Sequence, residues 1–207
     1  MALRAILGQR VTVKAATTIA GRFAEAFGES IATPLSELKR LTPVPARIAR
    51  ASVNDIARHG IVAARAKSII ALAKAQRSGE VCLDGNAHHN PDDSIKRLAE
   101  LPGIGPWTAH YIAMRAMRWP DAFPKEDIAV RNNLGGVTAK EAEALSQPWR
   151  PWRSYAVMHV WSIENQSVSR IARSADVGSS GGVLGRGTIA GTSRRADVRP
   201  RQAQRRW

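Results

Sequence analysis

Cysteine is almost missing from this chain of 207 residues, where Cys82 stands alone. One thiol excludes a disulfide framework, a zinc-finger array and a four-cysteine iron–sulfur cluster. Long apolar runs are missing as well. Arg65 and Lys67 interrupt the best candidate, so nothing approaches the roughly 18 apolar residues of a membrane span. The first residues lead into no signal-peptide core with a cleavage site, and the expectation is a reduced, cytoplasmic compartment. Negative charge is scarce: 17 Asp and Glu against 31 Lys and Arg leave a net charge of +14. A surplus of that size points to a polyanionic partner, nucleic acid before a membrane surface. With 44% of the chain hydrophobic, a folded core is available.

The charge is unevenly placed. Residues 166–207 hold nine Arg, two Asp and no Lys, which is half of the whole surplus. Six Gly, many Ser and no helical or alternating period mark this stretch as a disordered tail. Two roles stay open for it: nonspecific contact with DNA, or a solvated chain end.

Residues 1–165 read as one all-α, multi-helix domain. Val11–Phe27 has helical spacing and ends at Gly28. Thr33-Pro34 and Thr42-Pro43 place proline just inside expected helix starts. Ser52 and Asp55 form a capping-box pattern before a short helix that stops at Gly60, and Val62–Arg77 closes at Gly79. Asn90-Pro91-Asp92-Asp93 and Thr138-Ala139-Lys140-Glu141 open two more helices. Pro151 opens the last, expected to run to about Asn165. Leu3–Leu7 reads as the end of a helix whose start is missing, so the chain is expected to be a fragment or to carry a mis-set start.

The most specific segment is Leu98-Ala99-Glu100-Leu101-Pro102-Gly103-Ile104-Gly105-Pro106-Trp107-Thr108-Ala109. An apolar helix stops at Pro102, turns through Gly103 and Gly105 around one apolar Ile104, and restarts at Pro106. Both glycines are expected to permit positive φ and close backbone approach. Free N–H groups at the new helix start suit a DNA phosphate. This is the helix-hairpin-helix signature, which grips the backbone without reading bases. Ile56–Val62 is a weaker copy lacking the second glycine, and packing explains it better.

An acid pair, Glu126-Asp127, follows in a proline-punctuated loop, with Asp127 where the next helix begins. A helix cap alone explains such an aspartate. The rings around it in sequence add more. Six Trp accompany only three Phe and two Tyr. Trp107 and Tyr111 share a helix face, and the last helix is expected to carry Trp149, Trp152, Tyr155 and Trp161. Such rings either fill the core or stack on an unstacked base. His88, His89 and the other histidines lack metal-ligand spacing with Cys82 and read as polar loop residues.

L-P-G-I-G-P-W-T-A-x-Y, D-A-F-P-x-x-D and R-P-W-R-S-Y-A-x-x-H-x-W occur in that order. Together with Ala5–Gln9 they closely resemble the helix-hairpin-helix DNA glycosylases of the AlkA-like 3-methyladenine type, over about residues 1–163. The resemblance implies excision of alkylated bases from double-stranded DNA by base flipping, in a monomer. Asp127 matches the catalytic aspartate, and Trp107, Tyr111 and Trp161 match the rings of the base pocket. Such rings attract a cationic alkylpurine by ~0.5–2 kcal/mol per good contact. Gln9, Arg10, Gly103, Gly105 and Thr108 match DNA-contacting positions. No cofactor is implied beyond a monovalent cation on the carbonyls of Ala99, Leu101 and Ile104.

Where bifunctional relatives carry a nucleophilic lysine, this chain has Trp107, so hydrolysis without a lyase step is expected. Arg10 stands where the family presents a wedge that fills the gap left by the flipped nucleotide. Family members also carry a further N-terminal domain, so an exposed apolar face is expected. The competing reading is a noncatalytic or degenerate DNA-binding fragment that keeps only the hairpin.

Overall fold

The structure is a computed structural model that describes residues 1–84 and 90–163. His88 and His89, the helix end expected near Asn165 and the tail expected at 166–207 lie outside the described residues. The elements are α1 (Ala2–Leu7), α2 (Val13–Phe27), α3 (Pro45–Ile48), α4 (Val53–Ala57), α5 (Ala63–Ser78), α6 (Pro91–Glu100), α7 (Pro106–Arg115), α8 (Ile128–Asn133) and α9 (Ala139–Leu145). A 3₁₀ turn at Gln147–Trp149 leads into α10, residues 153–163. The all-α expectation holds: among the described residues the only β pairing is one isolated bridge between Ser30 and Arg40.

Local chemistry explains most boundaries. The Thr12 hydroxyl accepts from Ala15 N at 3.2 Å at the start of α2, and Gly28 caps its end. Ser52 with Asp55 and Thr138 with Glu141 form complete capping boxes, each satisfying two otherwise unpaired helix-end groups. Asn90 accepts from Asp92 N at 3.0 Å, and Gly79 closes α5 in the left-handed region. Ile56 and Ile61 of the weaker glycine repeat are buried, and His59 meets Phe27 edge-on, so packing accounts for that segment.

Three expected helix starts need correction. Thr33-Pro34 opens no helix, because the Thr33 hydroxyl closes a local loop onto Leu35 and Leu38. Thr42-Pro43 precedes a helix that begins only at Pro45, where the second proline of the pair occupies the first turn. Pro151 follows a cis peptide bond, and α10 starts at residue 153.

The two most buried helices, α5 and α7, run through the centre. Ala66, Ile69 and Leu72 on α5 and Ala109, Ile112 and Ala113 on α7 are almost fully enclosed. α5 packs on α3 and α4, α7 packs on α6, and α1 lies against both. The buried Ala5, Ile6 and Leu7 pin α1 to this core. Since α7 continues directly from the glycine turn, the core fixes where the hairpin and the first indole stand.

Candidate active site and DNA-binding hairpin

Asp127 caps α8: its Oδ1 accepts from Val130 N at 2.9 Å. The same carboxylate receives two indoles. Trp161 Nε1 on α10 donates to Oδ1 at 3.1 Å, and Trp107 Nε1 on α7 donates to Oδ2 at 2.8 Å. Asp127 is 8% exposed. Three N–H donors from three elements thus hold a buried carboxylate that forms no salt bridge among the described residues. The helix-cap explanation holds, and the same carboxylate also receives both indoles.

The rings assemble around it. Trp107 stacks on Tyr111 with centroids 5.2 Å apart, and Tyr111 meets Trp161 at 6.2 Å. Burial pushes the Tyr111 hydroxyl's pKa up. A cavity of about 230 Å³ opens on the Trp107–Tyr111 wall, with Arg4, Ala5, Gly8 and Arg115 among its other lining residues. Its size suits a single ring system rather than a large ligand. Trp107 therefore serves twice, as cavity wall and as carboxylate donor, which sequence spacing did not indicate; Trp161 and Asp127 do not line the cavity and join it only through Trp107 and Tyr111.

The hairpin glycines differ. Gly103 has φ +75° and a Cβ there would lie 2.3 Å from Ser68 Oγ on α5. Gly105 has φ −83°, so the expected positive φ is corrected: it adopts the extended conformation of a helix N-cap, and nothing lies within 4 Å of its missing Cβ. Ile104 is 2% exposed and anchors the turn. No side chain caps α7, and with proline at its first position the N–H groups of Trp107 and Thr108 are left without a side-chain cap beside Gly105.

Gln9 spans from the turn after α1 to this hairpin, donating Nε2 to Gly103 O at 2.9 Å and to Thr108 Oγ1 at 3.1 Å. Arg65 secures the Gln9 carbonyl in turn. Thr108 is buried, so the structure uses Gln9 and Thr108 to brace the hairpin. Arg10 is exposed at the tip of the turn with φ +54°. Ala99, Leu101 and Ile104 fall within the hairpin, and the Leu101 carbonyl accepts from Ile104 N at 3.1 Å.

Sequence reasoning missed the support for the Asp127 loop. Asp121, Arg153 and Ser154 are all buried, and they tie that loop to α10. The only sequence signal was an Asp and an Arg inside two of the ordered motifs. His110, one residue before Tyr111, is also largely buried, with Nδ1 lacking a hydrogen-bond partner. Burial lowers its pKa, against the opposing pull of Glu126 and Glu143. The unfolded chain protonates near pH 6.5 while the folded state resists. Stability should thus be full above about pH 6.5 and fall as the pH drops through it. Melting temperatures at neutral and mildly acidic pH should show this loss, and His110→Gln should reduce it; an identical acid dependence in the variant refutes the assignment.

Residues 3–151 match the family model described as HhH-GPD superfamily base excision DNA repair protein. The chain is 34% identical to a DNA-3-methyladenine glycosylase of Bacillus subtilis, covering 76% of this chain and 54% of that protein. It is 33% identical to DNA-3-methyladenine glycosylase 2 of Escherichia coli, over 78% of this chain and 56% of that protein. The chain thus spans about half the length of these curated relatives. The fold is similar to that of the Schizosaccharomyces pombe 3-methyladenine DNA glycosylase in complex with abasic DNA, at TM-score 0.62 and 24% identity over 77% of each chain. It is also similar to a 3-methyladenine DNA glycosylase from Archaeoglobus fulgidus, at TM-score 0.66 and 19% identity over 79% of this chain and 57% of that one.

Proposed function

The chain belongs to the HhH-GPD superfamily of base excision DNA repair proteins, and on that premise we propose that it hydrolyses the N-glycosidic bond of alkylated bases in double-stranded DNA. One observation carries this reading: a buried carboxylate, held by two indoles, stands beside a stacked aromatic wall.

Each part has a task. The hairpin's uncapped N–H groups take a phosphate, and the bare Gly105 lets the strand come close. An extruded base lies against Trp107 and Tyr111, where stacking replaces what the duplex loses. As the bond to the base breaks, the sugar gains positive charge, and Asp127 stabilises it and orients the attacking water. Its carboxylate is oriented beforehand by three N–H donors, so little reorganisation is needed. A cationic alkylpurine departs without a general acid, consistent with a single carboxylate here. Arg4 and Arg115 on the cavity lining oppose the rings' attraction for a cation. Much of the selectivity then comes from how weak the damaged glycosidic bond already is.

Trp107 offers an indole N–H and no amine nucleophile, which supports hydrolysis without strand cleavage. The carbonyls of Ala99, Leu101 and Ile104 fit a monovalent cation. They are neutral oxygens at the end of α6 and in the turn that follows it, and the Leu101 carbonyl keeps a second lone pair. Such an ion would supply positive charge near the phosphate. Among the described residues no helix is long and apolar enough to cross a membrane. A DNA substrate agrees with action as a monomer on the chromosome, in the cytoplasm.

Incubation with methylated DNA tests the proposal by measuring free base released. Retained DNA binding with no release would instead identify a noncatalytic binding module. Arg10 gives a second test. A long cation should plug a stacked gap less well than an uncharged wedge. Arg10→Gln is therefore expected to raise the single-turnover rate severalfold; an unchanged or slower rate refutes that assignment.

A further inference from the structure

The loop that ends at Asp127 and the helix that carries Trp161 are joined a second time, far from the carboxylate. Arg153, at the start of α10 and 4% exposed, forks onto Asp121. Its Nε donates to Oδ1 at 2.8 Å, and its Nη2 donates to Oδ2 and to the Asp121 carbonyl, each at 2.9 Å. The third guanidinium nitrogen reaches Glu143 Oε1 on α9 at 3.0 Å. Arg150 adds a contact to Asp121 Oδ2 at 2.7 Å. Next along the helix, Ser154 Oγ lies 2.8 Å from the Trp119 carbonyl and 2.9 Å from that of Ala122.

Arg153 and Trp161 are eight residues apart on one helix, a rise of about 12 Å. Asp121 and Asp127 are the matching ends of one short loop. Two attachments, guanidinium to Asp121 and indole to Asp127, therefore close a ring of structure through two elements. A planar fork sets both the distance and the orientation between its partners, which a lysine ammonium cannot do. A buried ion pair is weak evidence for stability, since desolvation offsets most of the attraction. Its geometric effect is the stronger reason for its presence here.

We propose that Asp121 and Arg153 are positioning residues for Asp127. They set the register of α10 against the loop so that Trp161 Nε1 meets the carboxylate. The catalytic half of this inference rests on the function proposed above; the geometric half does not.

The test uses Asp121→Asn and Arg153→Lys in the full chain, with ¹⁵N-indole NMR and single-turnover base release. Trp161→Phe identifies the Trp161 N–H resonance by its loss. In variants that still melt cooperatively, that resonance should move upfield as its hydrogen bond lengthens. Base release should slow about tenfold or more, given how steeply rate depends on alignment. Affinity for DNA containing an abasic-site analogue should stay within about threefold. A Trp161 resonance at the wild-type position overturns the proposal, and a moved resonance with a wild-type rate overturns its catalytic half. If either charge variant fails to fold, Ser154→Ala, which removes only a hydroxyl, should give a smaller shift in the same direction; no shift overturns the proposal. Should the wild-type chain release no base, the functional reading fails while the resonance still decides the geometry.

Discussion

Asp127→Asn is expected to cut the single-turnover rate of base release by at least about a hundredfold, the scale seen when one preorganised transition-state charge is removed. The variant keeps the helix cap, since asparagine caps as well as aspartate and can still accept from Val130 N at 2.9 Å. It cannot keep both indole bonds. The cap and Trp161 share one oxygen of the carboxylate, so with that oxygen retained as the amide oxygen Trp107 must face the N–H₂ group. Folding should therefore weaken only modestly, by about 1–2 kcal/mol, while chemistry is nearly lost. Measured melting temperature, abasic-DNA affinity and base release separate these effects. Release near the wild-type rate would show that the buried carboxylate is a structural cap alone.

The two hairpin glycines should fail in opposite ways. Gly103→Ala forces a Cβ into the left-handed region and against Ser68 Oγ, 2.3 Å away. The conformational cost and the overlap together come to about 2–4 kcal/mol, or roughly 4–15 °C in melting temperature for a domain of this size. Gly105→Ala meets nothing within 4 Å and needs no unusual φ, so its melting temperature should hardly move. Its new methyl group instead stands where a phosphate must approach, and DNA affinity should fall. A Gly105→Ala variant with full affinity would remove this turn from the DNA contact. An unchanged melting temperature for Gly103→Ala would mean that α5 yields around Ser68.

How much could be read without the fold differs from residue to residue. Ser52, Asn90 and Thr138 act on N–H groups two or three positions away, so the helix starts they cap were legible as written. Pro34 and Pro43 misled because proline permits a helix start without requiring one, and the Thr33 hydroxyl settled the local choice. Asp127, Trp107, Tyr111 and Trp161 were recognised as a set through the order of their motifs. That the indoles bond to the carboxylate depends on three elements meeting, and no local spacing encodes that. That the Gln9 amide spans from residue 9 to residues 103 and 108 has no local signal either. Asp121 and Arg153 escaped notice because a charge pair 32 positions apart has no periodicity to betray it.

The sequence by itself determined the helical class of the described residues, the glycine turn between two of the helices and the basic balance, and the order of its family-like motifs singled out the candidate carboxylate and rings. The helices, the turn and the charge follow from short-range rules, namely capping, helical period and composition, whereas the carboxylate and rings came through the resemblance. Only the tertiary structure decided that Asp127 is buried under two indole donors, that Gly103 serves packing while Gly105 stays open, and that a buried guanidinium fork holds the loop to the last helix. Those outcomes depend on which side chains meet across the core, and long-range packing sets that only once the whole chain has closed on itself.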